Sequence, residues 1–212
     1  MTGILGWGLG LALAAATAAE GRLTVAVYNL AGVPPGALAE ALETAERIFE
    51  KAGIRTEWVE CPRSPEGLRQ YPKCEAVVGL GTPSLKIISH TKARQLSGPS
   101  GALGFAAMSE RNGFASQAFV FFHRVEEEAA AGNSYVSVVL GHAMAHELGH
   151  LLLGAGHHSR TGIMRETWLA GDLRRAERGE LGFSPSQANR MREQVEARMR
   201  FQATAQTARG PK

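Results

Sequence analysis

Alternation of apolar and polar positions begins at Arg22 to Leu30, where Leu23, Val25 and Val27 stand against Thr24 and Ala26 and predict a strand. Gly32-Val33-Pro34-Pro35-Gly36 marks a turn, after which the period changes. Leu38, Leu42, Ala45, Ile48 and Phe49 recur at helical spacing through Ala52, with Glu40, Glu43, Glu46 and Lys51 on the opposite side. Beyond Gly53, Ile54 to Glu60 predicts a second strand. Glu75 to Leu80 and Leu85 to Ser89 predict further β-structure on either side of Gly81-Thr82-Pro83, giving a β-α-β-β order. Leu96 to Gln117, with Gly98-Pro99-Ser100-Gly101 and Arg111-Asn112-Gly113, predicts a loop or hairpin, and Phe119 to Val125 the last strong strand.

The run from Val136 to Gly154 predicts a helix of a different kind. Val136, Val138, Val139, Leu140, Ala143 and Ala145, then Leu148, Leu151, Leu152 and Leu153, leave almost no polar side, which places the helix in a core. Inside it stands His146-Glu147-Leu148-Gly149-His150. Polar groups on a buried helix are costly without partners. Residues four apart share a helix face, so His146 and His150 can offer ring nitrogens to one ion at about 2.0–2.1 Å. Glu147, beside the first histidine, can then take a proton from a water at that ion. His142 lies one turn earlier, but the row His142, His146, His150 spans about 12 Å of straight helix and cannot converge on one ion. His142 is therefore expected to support the site or the core.

Downstream, Gly154-Ala155-Gly156 breaks the helix and His157-His158-Ser159-Arg160-Thr161-Gly162-Ile163-Met164 follows. A catalytic zinc ion takes three protein ligands and keeps one position open, so a third ligand close in sequence is what this chemistry requires. Neighbouring residues of an extended loop point in opposite directions, so one of His157 and His158 is expected to bind and the other to turn away.

Together these residues resemble the metzincin metallopeptidases, whose pattern is HExxHxxGxxH followed by a turn containing methionine. The chain departs from it in spacing: the third histidine of the pattern lies six residues after the second, whereas His157 lies seven and His158 eight after His150. The continuation His158-Ser159, Gly162 and Met164 is similar to that of the matrixins. It also resembles a group of secreted bacterial proteins with HExGHLLLG, a histidine-serine pair and glycine-isoleucine-methionine. The resemblance implies His146, His150 and His158 as ligands of Zn²⁺, with His157 as the alternative third ligand, Glu147 as the catalytic base and Met164 as the floor of the site. It further implies an α/β (α+β) fold of the zincin type, with a twisted mixed sheet packed over the active-site helix and a helical C-terminal part. The activity implied is hydrolysis of peptide bonds in peptide or protein substrates. A gluzincin reading, with Glu166, Glu177 or Glu180 as third ligand, and a zinc-binding scaffold module without turnover stand as alternatives. His90 and His123 are isolated and expected to be structural or exposed.

Composition changes the picture at the ends. Ile4 to Ala19 is uncharged, apolar and closes on small residues, as a signal peptide does, with cleavage after Ala18 or Ala19. This predicts a secreted or periplasmic protein with no membrane span after cleavage, retention as a membrane anchor being the alternative. Residues 20–201 are expected to form one domain. The two cysteines, Cys61 and Cys74, are an even count suited to one disulfide in an oxidising compartment. After Met164, Asp172 to Arg178 and Ser184 to about Phe201 predict helices, the second opening on a Ser-Pro start. Residues 202–212 are polar and expected to form a flexible tail. The net charge of +3 is concentrated from Asp172 onward, and no basic motif interleaved with aromatics points to nucleic acid.

Overall fold

The computed structural model describes residues 21–64, 67, 70–77, 82–96, 101–107, 114–154 and 156–208. The segment Ile4 to Ala19 and residues 209–212 lie outside them. Strand β1 (Arg22–Asn29) leads through helix α1 (Pro35–Lys51) to β2 (Arg55–Cys61). Then come α2 (Pro72–Val77), β3 (Ser84–Ile88), the single turn α3 (His90–Ala93), β4 (Gly104–Ala107) and β5 (Gln117–Phe121). Four helices follow: α4 (Phe122–Gly132), α5 (Val136–Leu153), α6 (Ala170–Glu177) and α7 (Pro185–Ala208).

The strands form one mixed sheet in the order β2-β1-β3-β5-β4, parallel throughout except for β4, which runs antiparallel to β5 at the edge. The period of two decides what each face meets. Leu23, Val25, Val27, Leu85, Ile87, Ala118 and Val120 point to the side covered by α1 and α5, and with Leu38, Ala45, Phe49, Leu140, Met144 and Leu148 they make the main core. Ala26, Val59 and Cys61 point the other way, into a smaller cluster closed by Cys74 of α2. Cys61 and Cys74 are joined by a disulfide with Cα atoms 5.6 Å apart, which pins α2 over that face.

Helix α1 opens on Pro35, whose missing N–H costs nothing at a first helical position. Its buried stripe Leu38, Ala41, Leu42, Ala45, Ile48, Phe49 lies along α5. Helix α5 has an apolar 18-residue window long enough to cross a membrane, and 89% of that window is buried inside the fold. Its lack of a polar side is thus met by the sheet, α1, α4 and α7. The end of α5 is held by Arg198 of α7, a buried guanidinium that donates to the carbonyls of Leu151 and Ala115 at 2.8 Å each and lies over the Phe114 ring.

Several expected boundaries move. Glu75 to Leu80 is not a strand as far as the described residues reach, since 72–77 is helical and 78–80 lie outside them. Pro72 at the helix start and Glu75 in its first turn are helix-initiating signals that outweigh the apolar Ala76-Val77 pair. The order is consequently β-α-β-α-β rather than β-α-β-β. The run Phe119 to Val125 splits in two: β5 ends at Phe121, and α4 begins at once, burying Val125 and Ala129 one turn apart and closing on Asn133 in the left-handed region. The segment Leu96 to Gln117, expected as a loop or hairpin, contains β4, which pairs with β5 beginning at Gln117. Helix α7 runs to Ala208, so the expected flexible tail is helical over 202–208. Thr204 and Thr207 there turn their hydroxyls back onto the carbonyls of Arg200 and Ala203, a geometry that keeps polar side chains compatible with the helix.

The disulfide spans a separation of 13 residues. Replacing Cys61 and Cys74 together by serine should lower unfolding free energy by about 3 kcal/mol, the chain-entropy value for a loop of this size. Urea unfolding of the oxidised protein and the double variant measures the difference. Coincident curves would show that the bond does not stabilise this face.

Candidate metal centre

Among the polar groups that the core helix carries into the interior, His146, Glu147 and His150 are 8%, 4% and 7% exposed. One helical turn brings the Nε2 atoms of His146 and His150 to 3.1 Å from each other. The Nδ1 atom of His146 lies 2.7 Å from the carbonyl oxygen of Ile163. A carbonyl only accepts, so Nδ1 carries the proton and donates, leaving the Nε2 lone pair free. Two ring nitrogens this close require a proton or a cation between them.

The loop after α5 supplies the third nitrogen. Gly154 and Gly156 adopt φ of 104° and 70°, which turns the chain back toward the helix it has just left. The His158 ring then lies 4.8 Å from the ring of His150 and 5.7 Å from that of His146. Among the described residues, His146, His150 and His158 form the one group of three or more metal-ligating side chains, with one ligand atom from each within 4.8 Å of the others. His157 is outside this group. The far end of the loop is held by backbone: Ser159 N–H donates to Met164 O at 2.8 Å and Ile163 N–H to Gly182 O at 3.0 Å. Met164 is fully buried, and its sulfur sits where a side chain on Gly149 would be, 2.7 Å from a β-carbon built there. Gly149 therefore allows methionine to lie directly against the helix between the two histidine turns.

The remaining expected residues separate. His142 is buried, its Nδ1 bonded to Val138 O at 2.8 Å within the helix, and it belongs to the core beside Trp168. Glu166 is exposed and lines the same cavity as the triad, whereas Glu177 and Glu180 do not; Glu180 pairs with Arg178 at 2.8 Å. His123 lies just past the end of β5. It sits on the first turn of α4 and stacks at 4.6 Å on His90, away from the cavity lining.

Sequence reasoning missed three features. Trp168 donates from its indole Nε1 to Ile163 O at 3.0 Å, the same carbonyl that orients His146, and its ring meets the His146 ring edge-on at 6.0 Å. Arg165 is pinned at 2.9 Å by the buried Asp172, which also caps the Leu169 N–H. Gly104 of β4 lies against Glu147. A lone tryptophan in the polar stretch after Met164 was the available signal for the first, and an aspartate in the first turn of α6 for the second; the third depends on which strand reaches the helix.

The three histidines and Glu147 line a cavity of about 480 Å³ walled by Leu103 and by Gly104 to Ala106 of the edge strand on one side and Arg165 to Trp168 on the other. Burial holds the two helix histidines neutral. It pulls His146 down to about 4, with the neighbouring His158 adding to the effect and the Ile163 carbonyl opposing it, and it pulls His150 down to about 3 together with His146 and His158. Burial also pushes the Glu147 carboxyl up to about 8. Neutral imidazoles are the ligand state a borderline metal takes, and a cation can stand in place of a proton between the two Nε2 atoms, so the donor set fits a divalent ion and is consistent with Zn²⁺.

The fold is found in solved structures. A zinc-dependent peptidase from Methanocorpusculum labreanum strain Z matches with a TM-score of 0.50 at 16% identity, over 79% of this chain and 99% of that one. An archaemetzincin from Methanopyrus kandleri matches with a TM-score of 0.47 at 14% identity, over 85% of this chain and 99% of that one. At such identity the first match speaks for the fold alone. No protein-family model matches the chain, and no curated protein does.

The pKa directions set a pH dependence for protein stripped of metal by a chelator. His146 and His150 bind fewer protons folded than unfolded below their ordinary value of 6.5, so stability falls as pH drops from there. Glu147 binds more protons folded than unfolded between 4.5 and about 8, so its contribution falls as pH rises through that range. Two histidines outweigh one carboxyl on the acid side and the carboxyl acts alone above, which puts the stability maximum near pH 6.5. Urea midpoints from about pH 4 to about pH 9 test this. Stability still climbing on the alkaline side would show that Glu147 is not held neutral.

Proposed function

We propose that this protein is a zinc-dependent metallopeptidase of the metzincin type, with His146, His150 and His158 as ligands and Glu147 as general base. The observation that carries the reading is the convergence of the three histidines beside the buried carboxyl of Glu147. The fold it shares with a zinc-dependent peptidase supports the same reading. When bound, zinc supplies Lewis acidity, making a nearby water more acidic and a carbonyl more electrophilic.

The chain's own residues do the rest. The bond from His146 Nδ1–H to Ile163 O fixes the tautomer that presents Nε2 to the ion, and Trp168 donates to the same oxygen. Glu147 takes the proton of the attacking water and passes it to the leaving amine, which is the work of a carboxyl next to a ligand and facing the cavity. The edge strand β4 pairs with β5 on one side, and its residues line the cavity. An extended peptide can lie along it by strand addition, using backbone hydrogen bonds that demand little of the substrate's sequence. The substrate class is therefore peptide or protein. The segment Ile4 to Ala19 and the disulfide Cys61–Cys74 support export to an oxidising compartment, with the leader removed after Ala18 or Ala19.

Glu147→Gln should retain the metal and lower hydrolysis of a generic peptide library by about 10²–10⁴-fold, the range for loss of a general base. Metal content by mass spectrometry and cleavage rates measure the two properties separately. Full activity in the variant would remove Glu147 from the mechanism, and bound metal without any Glu147-dependent cleavage in the parent would favour a scaffold module. Amino-terminal sequencing of exported protein should begin at Ala19 or Glu20; an intact Met1 would refute cleavage.

A further inference from the structure

Among the described residues, no hydrogen bond is made to the buried Oε2 of Glu147. A glutamate side chain has three rotatable bonds, so its position here is set by what packs around it. One wall of that packing is a single residue of the edge strand. Alternation along β4 turns Phe105 outward, where it stacks on Phe119, and turns Gly104 toward α5. A β-carbon at position 104 would stand 2.7 Å from Glu147 Cγ, 2.8 Å from Glu147 Oε1 and 2.2 Å from the backbone oxygen of Phe119. Gly104 is absent from the positive-φ glycines, so its backbone is one any residue can adopt. What the position needs is the missing side chain.

We propose that Gly104 is the positioning residue for Glu147: its bare α-carbon lets the backbone of the edge strand lie against the carboxyl and confine it beside the ligand histidines. This rests on the reading of Glu147 as the base of a zinc peptidase. Phe119 O belongs to the β4–β5 pair, in which Gly104 stands opposite Val120, and it yields only if the edge strand moves. A methyl group at 104 therefore displaces either the glutamate or the strand that walls it. In both cases the carboxyl loses its place while the three histidines, on α5 and the loop after it, keep theirs.

Gly104→Ala is the test, read in parental and Glu147-substituted backgrounds. With metal content unchanged, kcat should fall about 10–100-fold, the scale of a misplacement near 1 Å. Added to Glu147→Gln, the same change should cost less than about twofold, because no base remains to misplace. Equal losses in both backgrounds would show that Gly104 acts on the strand or the substrate and not through Glu147. An undiminished kcat would overturn the proposal outright. Should Gly104→Ala unfold easily, thermal melting gives a second reading that needs no turnover: the drop in Tm should be smaller in Glu147→Ala, where the Cγ collision is gone. An identical drop in both would overturn the proposal. A parent protein that binds metal and cleaves nothing would instead sink the peptidase reading, and the melting comparison would still report the contact.

Discussion

A helix buried on every side has no solvent to receive the polar groups it carries. Helix α5 turns a carboxyl and two of its three buried imidazoles toward one cavity, and the surrounding structure answers them unevenly. The Nδ1 atom of His146 finds a carbonyl, but the Nε2 atoms of His146 and His150 find each other, and Oε2 of Glu147 finds no partner among the described residues. Uncompensated polar groups of this kind cost of the order of 1–3 kcal/mol each. They cluster on one side of the helix, facing one cavity, at the point where a third imidazole arrives. The same groups that weaken the metal-free core are the ones a bound cation would satisfy, so stability and site are two consequences of one arrangement.

The rest of the fold keeps that helix in register with its loop. Helix α1 and the sheet fill its apolar sides, while Arg198 takes the carbonyl of Leu151 near its C-terminal end, just before the chain must turn. Beyond the turn, Ile163 has two tasks. Its N–H is tied to Gly182, which leads into α7, and its oxygen receives both His146 and Trp168. The orientation of the first histidine thus depends on a carbonyl seventeen residues away, anchored by a segment further still along the chain.

The centre of this arrangement was legible because its signals are local. A strongly apolar run predicted the core helix, and the four-residue spacing of His146 and His150 set their common face. The first two strands, α1, α6 and the start of α7 followed from periodicity and from proline and glycine punctuation. What escaped was decided elsewhere. Residues 72–77 carry an apolar pair that suits a strand, yet the outer sheet face they cover is closed by a disulfide, and Pro72 starts a helix there. The run Phe119 to Val125 is uniformly apolar at its start, and only packing decides that its second half buries Val125 and Ala129 as a helix. Gly104 carries no sequence signal of its own, since its role comes from the crossing of an edge strand over a helix forty residues later.

The loop between the second and third histidines shows how spacing and geometry can part. Eight residues separate His150 from His158, two more than the metzincin pattern, and a longer loop on a free end would swing its histidine out of reach. It does not, because backbone bonds hold the loop on both sides of the histidine: His158 N–H donates to Gly156 O at 2.9 Å, and the chain beyond it is anchored too. Ser159 is bonded to Met164 through the backbone and to Gln187 of α7 through its hydroxyl at 3.3 Å, and Met164 is wedged against Gly149 of the helix itself. The extra residues can then be taken up in the Gly154–Gly156 turn, where positive φ lets the chain double back without moving its anchor. His158, which stands with the other two histidines, is thus bonded to Gly156 on one side and adjoins the anchored Ser159 on the other, so the turn and the anchor together set its place.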